Sequence, residues 1–262
     1  MTIPSDIGPT RDEVQAHRGA SAVAPENTIA AFRAAAEQGA RWVELDVALL
    51  ADDTLVVIHD DSVDRTTSGK GSLGALTHAE IAKLDAGAWF DAKYAGERLP
   101  TLAEVIKALG EFGLSANVEI KQHKHHKSLD QLVRAVQADI NKRDPKTRIM
   151  ISSFDPEALK AMHALEPDLE MAMLWGRPPE DWAEKLKAIP ATTIHMHYKA
   201  LSIGMLEEAS ENGIKVRAWT CNNPVELISF WGAGLTGVIT DNPKLFWDNR
   251  GFRPKNAVAS AT

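Results

Sequence analysis

Several things are scarce in this sequence, and each scarcity closes off a class of protein. There is one cysteine, Cys221, so no internal disulfide can form. No apolar stretch approaches the roughly 20 residues a membrane-spanning helix needs, and the opening Met1-Thr-Ile-Pro-Ser-Asp lacks a basic segment followed by an apolar one. Positive charge is also in deficit. With 29 Lys and Arg against 36 Asp and Glu, the formal net charge is −7, which gives no pull towards nucleic acid or an anionic membrane. Solenoid repeats and low-complexity linkers are absent. The expectation is a cytoplasmic monomer or small homo-oligomer acting on small molecules, without nucleic acid or membrane insertion. If such a protein handles phosphate, it needs a local cation or a metal to do so.

What is present is enough for one large core: 262 residues, 44% of them hydrophobic and 25% charged. Short apolar, β-branched segments recur near 14–17, 41–47, 55–59, 116–121, 148–152, 170–174, 192–197, 215–219 and 237–240. Helical stretches fall between most of them, among them 27–38, 102–111, 129–141, 156–165 and 224–231. Alternation of this kind implies parallel strands joined by crossover helices. One segment is in excess of a closed eight-stranded barrel. Between Glu44-Leu-Asp-Val and Val57-Ile-His-Asp only Ala51-Asp-Asp-Thr54 intervenes, too little for a parallel crossover, so this pair is an antiparallel hairpin. A two-residue turn at Asp52-Asp53 places Asp46 opposite His59, on a shared face. The expected fold is α/β: a (β/α)8 TIM barrel in a single domain over residues 1–262, with an insertion at about 47–99 after the second strand. An open doubly wound sheet is the runner-up.

Within the second strand, Trp42, Glu44 and Asp46 alternate with Val43, Leu45 and Val47. The aliphatic set faces the helices, so the two carboxylates point inward. Inward carboxylates this close repel each other and resist desolvation unless a positive charge lies between them. Glu119, in Asn117-Val-Glu-Ile-Lys121, repeats the arrangement on the next barrel strand. Glu44, Asp46 and Glu119 thus make an oxygen-only set suited to one hard divalent cation, Mg²⁺ first and Ca²⁺ or Mn²⁺ as substitutes. The bland alternative is neutralisation by an internal base such as Lys121.

His17-Arg18-Gly19 ends the first strand, where barrel active sites lie. His59 arrives beside it on the hairpin. Two imidazoles flanking a cation suit phosphodiester cleavage: one takes a proton from the nucleophile, and the other gives one to the leaving alkoxide. Arg18 supplies fixed charge for phosphoryl oxygens. Asn27 or Thr28 reads as a helix cap, Thr28 above all, and Trp219, sharing a face with Arg217 on the seventh barrel strand, as a candidate wall of the site.

Taken together, His17-Arg-Gly, Pro25-Glu-Asn-Thr, Glu44-Leu-Asp, His59-Asp, Arg65-Thr, Pro100-Thr-Leu, Glu119-Ile-Lys, Ser153-Phe, Trp219-Thr and Thr240-Asp-Asn-Pro resemble the glycerophosphodiester phosphodiesterase family, in order over about residues 14–245. Asp85-Ala-Gly-Ala-Trp-Phe and Thr193-Ile-His-Met-His point more narrowly to its bacterial cytosolic form. The resemblance implies a barrel related to phosphatidylinositol-specific phospholipases. It implies cleavage of glycerophosphodiesters, such as glycerophosphocholine or glycerophosphoethanolamine, to glycerol 3-phosphate and an alcohol. It also implies Glu44, Asp46 and Glu119 as metal ligands, His17 and His59 as the acid–base pair, and Arg18 and Lys121 as phosphate contacts. The pattern is broken at Gln122, where the family commonly has proline, and in the following loop with His123, His125 and His126. His197 stands where asparagine is expected, with His195 as its inward-facing partner. The rival readings are a metal-dependent lyase or aldolase, a lysophospholipase D-like activity on the same site, and a non-catalytic metabolite-binding barrel. The first leaves one histidine idle, and the last leaves a complete set of five polar groups unexplained.

Overall fold

The computed structural model describes residues 8–121 and 127–248. Among the described residues, nine strands alternate with helices: β1 (Val14–His17), α1 (Ile29–Glu37), β2 (Trp42–Leu49), β3 (Leu55–Val57), α2 (His78–Ile81), α3 (Leu102–Phe112), β4 (Ser115–Ile120), α4 (Leu129–Ile140) and β5 (Ile149–Ser153). There follow α5 (Pro156–Leu165), β6 (Glu170–Trp175), α6 (Trp182–Lys187), β7 (Thr193–His197), α7 (Ile203–Glu211), β8 (Lys215–Trp219), α8 (Ile228–Trp231), β9 (Gly237–Thr240) and α9 (Leu245–Asp248). Eight strands run parallel in the order β1-β9-β8-β7-β6-β5-β4-β2, and β1 pairs again with β2, which closes the barrel. The open doubly wound alternative is thereby excluded.

Alternation along each strand divides the side chains between two environments. Val43, Leu45 and Val47 join the main hydrophobic cluster with α1, α3 and α4, while Trp42 packs inside against Met150 and Ala172. Helix ends are set by short local signals. Thr101 and Glu104 form a capping box at α3, Ser128 and Gln131 another at α4, and Gly113 closes α3 in the left-handed conformation (φ 68°). The segment read as one helix over 224–231 is a 3₁₀ turn, Pro224–Leu227, running into the single turn of α8.

The hairpin after β2 needs a correction. β3 is antiparallel to β2, but Val47 pairs with Val57 and Leu49 with Leu55, so Asp46 lies opposite Ile58 rather than His59. The backbone agrees, since Ile58 N–H donates to the Asp46 carbonyl at 3.0 Å. The cause is the turn, which has three residues instead of two. Asp53 takes a left-handed conformation (φ 64°), and Leu50 N–H donates to the Thr54 carbonyl at 2.9 Å. The extra residue slips the register by one. Ile58 therefore joins Ala48, Leu50, Val56, Leu73 and Ile81 in a second small hydrophobic cluster above the barrel. His59 follows directly, past the end of β3, and turns over the barrel mouth.

Candidate active site

The site begins where β1 ends. Arg18 (φ 55°) and Gly19 (φ 82°) both occupy the left-handed region. Only glycine fits the second place, because a Cβ there would lie 2.6 Å from Ala31 on α1. This tight turn aims the Arg18 amide at Glu44 Oε2, 3.1 Å away, while the Arg18 carbonyl accepts from Asn27 N–H at 2.9 Å. Asn27 is itself left-handed (φ 57°), and its amide nitrogen donates to Asp46 Oδ2 at 2.9 Å. Two non-glycine residues held left-handed beside the same acids mark a place where packing over-determines the backbone. Thr28 is the cap of α1, accepting from Ala31 N–H, so its role is structural.

Glu44, Asp46 and Glu119 are buried and offer carboxylate oxygens within 4.8 Å of one another. Their charges are poorly balanced. Burial pushes the Glu44 carboxyl well above the usual carboxylate range, with Asp46 and Glu119 adding to the rise. Glu119 is pushed up to about 8 by burial and by Asp46. Asp46 goes the other way. Burial opposes its ionisation, yet Lys121, Arg18, His59 and the Asn27 hydrogen bond hold it at about 2. Lys121 Nζ is 3.4 Å from Asp46 Oδ1 and 4.0 Å from Glu119 Oε1. It neutralises part of the cluster, while Glu44 takes only the Arg18 charge and the His17 ring at 4.0 Å. Glu119 Oε1 is buried with no hydrogen-bond partner. An all-oxygen set with one bare oxygen and two carboxyls that resist ionisation fits a hard divalent ion, and these three residues could hold it.

Both candidate histidines line the cleft, and each is held through Nδ1 by an aspartate. His17 Nδ1 lies 2.6 Å from Asp241 Oδ1, just past the end of β9, and His17 Nε2 lies 4.0 Å from Glu44 Oε2. Asp241 is fixed by Asn222 Nδ2 at 2.6 Å and by the Ser21 hydroxyl at 3.0 Å. Burial alone would raise its carboxyl, but the hydrogen bond from His17 and those from Asn222 and Ser21 hold it at about 2. His59 Nδ1 lies 2.8 Å from Asp60 Oδ1. The Arg65 guanidinium clamps Asp60 (Nε to Oδ2, 2.7 Å) and grips Glu26 with both Nη atoms at 2.7 and 2.8 Å. Glu26 in turn accepts from Arg18 Nη1 at 2.8 Å, which closes a chain of ion pairs from His59 back to the β1 turn. Burial lowers the His59 ring below the ordinary histidine range, against the opposing pull of Asp46.

The structure thus gathers all eight sequence-chosen residues around one cleft: His17, Arg18, Glu44, His59, Glu119, Lys121 and Trp219 line it, and Asp46 stands among the acids. Trp219 walls the mouth, edge-on to Phe154 (centroids 5.9 Å apart) and to His197 (5.4 Å). His195 is fully buried beneath, with both ring nitrogens unpartnered. Gln122, His123, His125 and His126 lie outside the described residues. Five contributors were given no part in the site from the sequence: Glu26, Asp60, Arg65, Asp241 and Asn27, which read only as a possible helix cap. All sit inside motifs that were visible, but the partner of each is fixed only by the fold.

Comparison with known proteins points to one family. The model of the glycerophosphoryl diester phosphodiesterase family matches residues 17–245. A glycerophosphodiester phosphodiesterase of Caldanaerobacter subterraneus subsp. tengcongensis is 39% identical over 234 residues, covering 88% of this chain and 94% of the relative. One from Bacillus subtilis is 33% identical and covers 92% of this chain and 87% of its own. Among solved structures, an Oleispira antarctica phosphodiesterase in complex with the product sn-glycerol-3-phosphate superposes with a TM-score of 0.87 at 32% identity, over 90% of this chain and 96% of that one.

Proposed function

The chain belongs to the glycerophosphoryl diester phosphodiesterase family, and from that membership we propose that it hydrolyses glycerophosphodiesters to sn-glycerol 3-phosphate and an alcohol. The observation that carries the reading is the buried Glu44–Asp46–Glu119 cluster bordered by two imidazoles, each held at Nδ1 by its own aspartate. Glu44, Asp46 and Glu119 would hold one divalent cation, Mg²⁺ first and Ca²⁺ or Mn²⁺ as substitutes. When bound, it supplies Lewis-acid charge that polarises the phosphoryl group and the glycerol hydroxyl beside it.

The chain's own residues divide the remaining work. Arg18 and Lys121 stand at the cleft with partly exposed cationic heads and hold the non-bridging phosphoryl oxygens. Asp241 and Asp60 fix the orientation of the two rings, which leaves each Nε2 free to exchange a proton. One histidine takes the proton of the glycerol 2-hydroxyl as it attacks phosphorus, and the other protonates the departing alkoxide. Water then opens the cyclic phosphate with the roles reversed. Burial lowers the His59 ring below the ordinary histidine range, which suits a group that must accept a proton and pass it on. Trp219 walls the mouth through which the alcohol leaves.

The same reading carries a cytoplasmic monomer or small homo-oligomer whose partner is the small-molecule diester. Among the described residues, no helix is long and apolar enough to cross a membrane. The lyase reading leaves one of two well-anchored histidines without a task, so no observation favours it. The test is release of glycerol 3-phosphate from glycerophosphocholine with Mg²⁺, with EDTA, and with Mg²⁺ restored. Absence of release with Mg²⁺ present would sink the activity, and full turnover in EDTA would sink the metal site. A 2-deoxyglycerol analogue, turned over as fast as the normal substrate, would exclude the cyclic route.

A further inference from the structure

Alongside the three acids, on the inward faces of β4, β5 and β7, the barrel interior changes character. Asn117, Ser152 and His195 line the same cleft, and all three side chains are at most 1% exposed. The strand register puts Ser152 level with Glu119, and Asn117 one inward position below Glu119 on β4. Asn117 spends its amide nitrogen on Gln15 Oε1 at 3.1 Å, and its Oδ1 is left without a partner. The Ser152 hydroxyl has none either, nor has either nitrogen of His195. His195 sits beside Arg217 across the β7–β8 pair. Burial, and then that guanidinium, keep its ring neutral, so it offers one donor and one acceptor. Unpaired buried polar groups cost stability and are rare unless something else satisfies them. Here several converge on the inner end of one cleft.

We propose that Asn117, Ser152 and His195 form a hydrogen-bonding floor that recognises the glycerol half of the substrate through its terminal hydroxyl, an inference that rests on the activity proposed above. The two halves of the substrate fit the two ends of the cleft. Charged phosphate belongs with Arg18 and Lys121 at the rim, whereas a neutral polyol matches neutral donors and acceptors in a site closed to water. The leaving alcohol varies in size and must face the open side, where Phe154 is 49% exposed. The glycerol half is constant, so it is the part that a closed floor can read.

The test compares binding of sn-glycerol 3-phosphate with that of 2-hydroxyethyl phosphate, by calorimetry on the Mg²⁺-loaded protein. The second ligand keeps the phosphate and the vicinal hydroxyl and lacks only the CH₂OH arm. The wild type should prefer glycerol 3-phosphate by about tenfold or more, the worth of a hydroxyl seated among buried partners. Ser152→Ala and His195→Leu should each move the ratio towards one by weakening glycerol 3-phosphate alone, and His195→Gln should recover part of it. Thermal melts accompany each variant, and Ser152→Ala, a small deletion, keeps the test open should His195→Leu fold poorly. A wild type without preference, or variants that weaken both ligands equally, would overturn the floor. A wild type that keeps the preference yet releases no product from glycerophosphocholine would retire the proposed activity and leave the floor standing.

Discussion

The two histidine–aspartate arms reach the same cleft by different physical routes. His17 and Asp241 lie 224 residues apart in sequence and meet because β1 and β9 are hydrogen-bonded neighbours in the barrel. Sheet register brings that pair together, and Asn222 and Ser21 then hold the carboxylate. His59 and Asp60 are adjacent in sequence but stand beyond the end of β3, where no ladder holds them. Their positions depend on the Arg65 clamp and its run through Glu26 to Arg18. Exposure follows the same division: the His17 side chain is 18% exposed and that of His59 34%. An arm built on strands gets its precision from the backbone, whereas one built on a loop has to be assembled from charged side chains.

The largest effect should come from removing what both arms share. Glu44→Ala, Asp46→Ala or Glu119→Ala should each weaken metal binding and abolish measurable turnover, and EDTA should do the same without unfolding the barrel. If all three variants titrated one Mg²⁺ normally and kept their activity, the cluster would have no part in the reaction. Next come the rings themselves. His17→Ala and His59→Ala should each lower kcat by about 10²–10⁴-fold, the usual worth of a positioned acid or base. A nitrophenyl leaving group should rescue only the variant that lacks the general acid, and equal rescue of both would argue against divided roles.

The carboxylates then separate the arms. Asp241→Asn keeps the shape of the strand-held pair but presents an amide to Nδ1, which favours the wrong tautomer. A loss of about 10²-fold in kcat is expected. Asp60→Asn should cost only about tenfold, because Arg65 still links the loop to Glu26. Arg65→Ala should reveal the difference most directly. It should raise KM and lower kcat through the loop-held arm, and leave the His17–Asp241 pair in place. Equal losses for Asp241→Asn and Asp60→Asn would erase the distinction.

This contrast also explains what could be read from the sequence. The barrel was legible because parallel strands buried on both faces leave continuous β-branched runs, and because too few residues separate β2 from β3 for a crossover. Glu44, Asp46 and Glu119 were legible because strand alternation says which way a side chain points. Facing is a local property. Partnership across the barrel is not, so nothing near Asp241 announces His17, and Glu26 gives no sign that it joins Arg18 to Arg65. The hairpin register went wrong by one for a related reason. Ala51-Asp-Asp-Thr54 is compatible with a turn of two or three residues, and Asp53 settles it by accepting a left-handed backbone, which aspartate tolerates and few other residues do. His59 still reaches the site because it leaves the strand altogether.

The smallest effect sharpens the comparison through stability, since the two halves should respond to pH with opposite sign once the metal is removed. Glu119, on the strand-held side, has its carboxyl raised from 4.5 to about 8 in the folded protein. As pH climbs above 4.5 the unfolded chain ionises there and the folded chain does not. Stability therefore falls across that interval and levels off once the folded carboxyl ionises near 8. His59, on the loop-held side, is lowered below 6.5, so the unfolded chain gains a proton first as pH falls, and stability is lost towards acid. Glu119→Gln should lessen the first trend and leave the second, because the amide cannot ionise while Glu44, also raised by burial, keeps its own share. Measured in EDTA, the variant's Tm should match the wild type near pH 5 and exceed it by about 2–4 °C at pH 8, roughly what 1 kcal/mol is worth in a domain of this size. Adding Mg²⁺ should reverse the order at pH 8, because only the wild type retains the full ligand set and gains stability from binding. Parallel Tm profiles in EDTA would mean that Glu119 ionises as freely in the folded chain as in the unfolded one, and the case for a buried acid cluster awaiting a cation would fail with it.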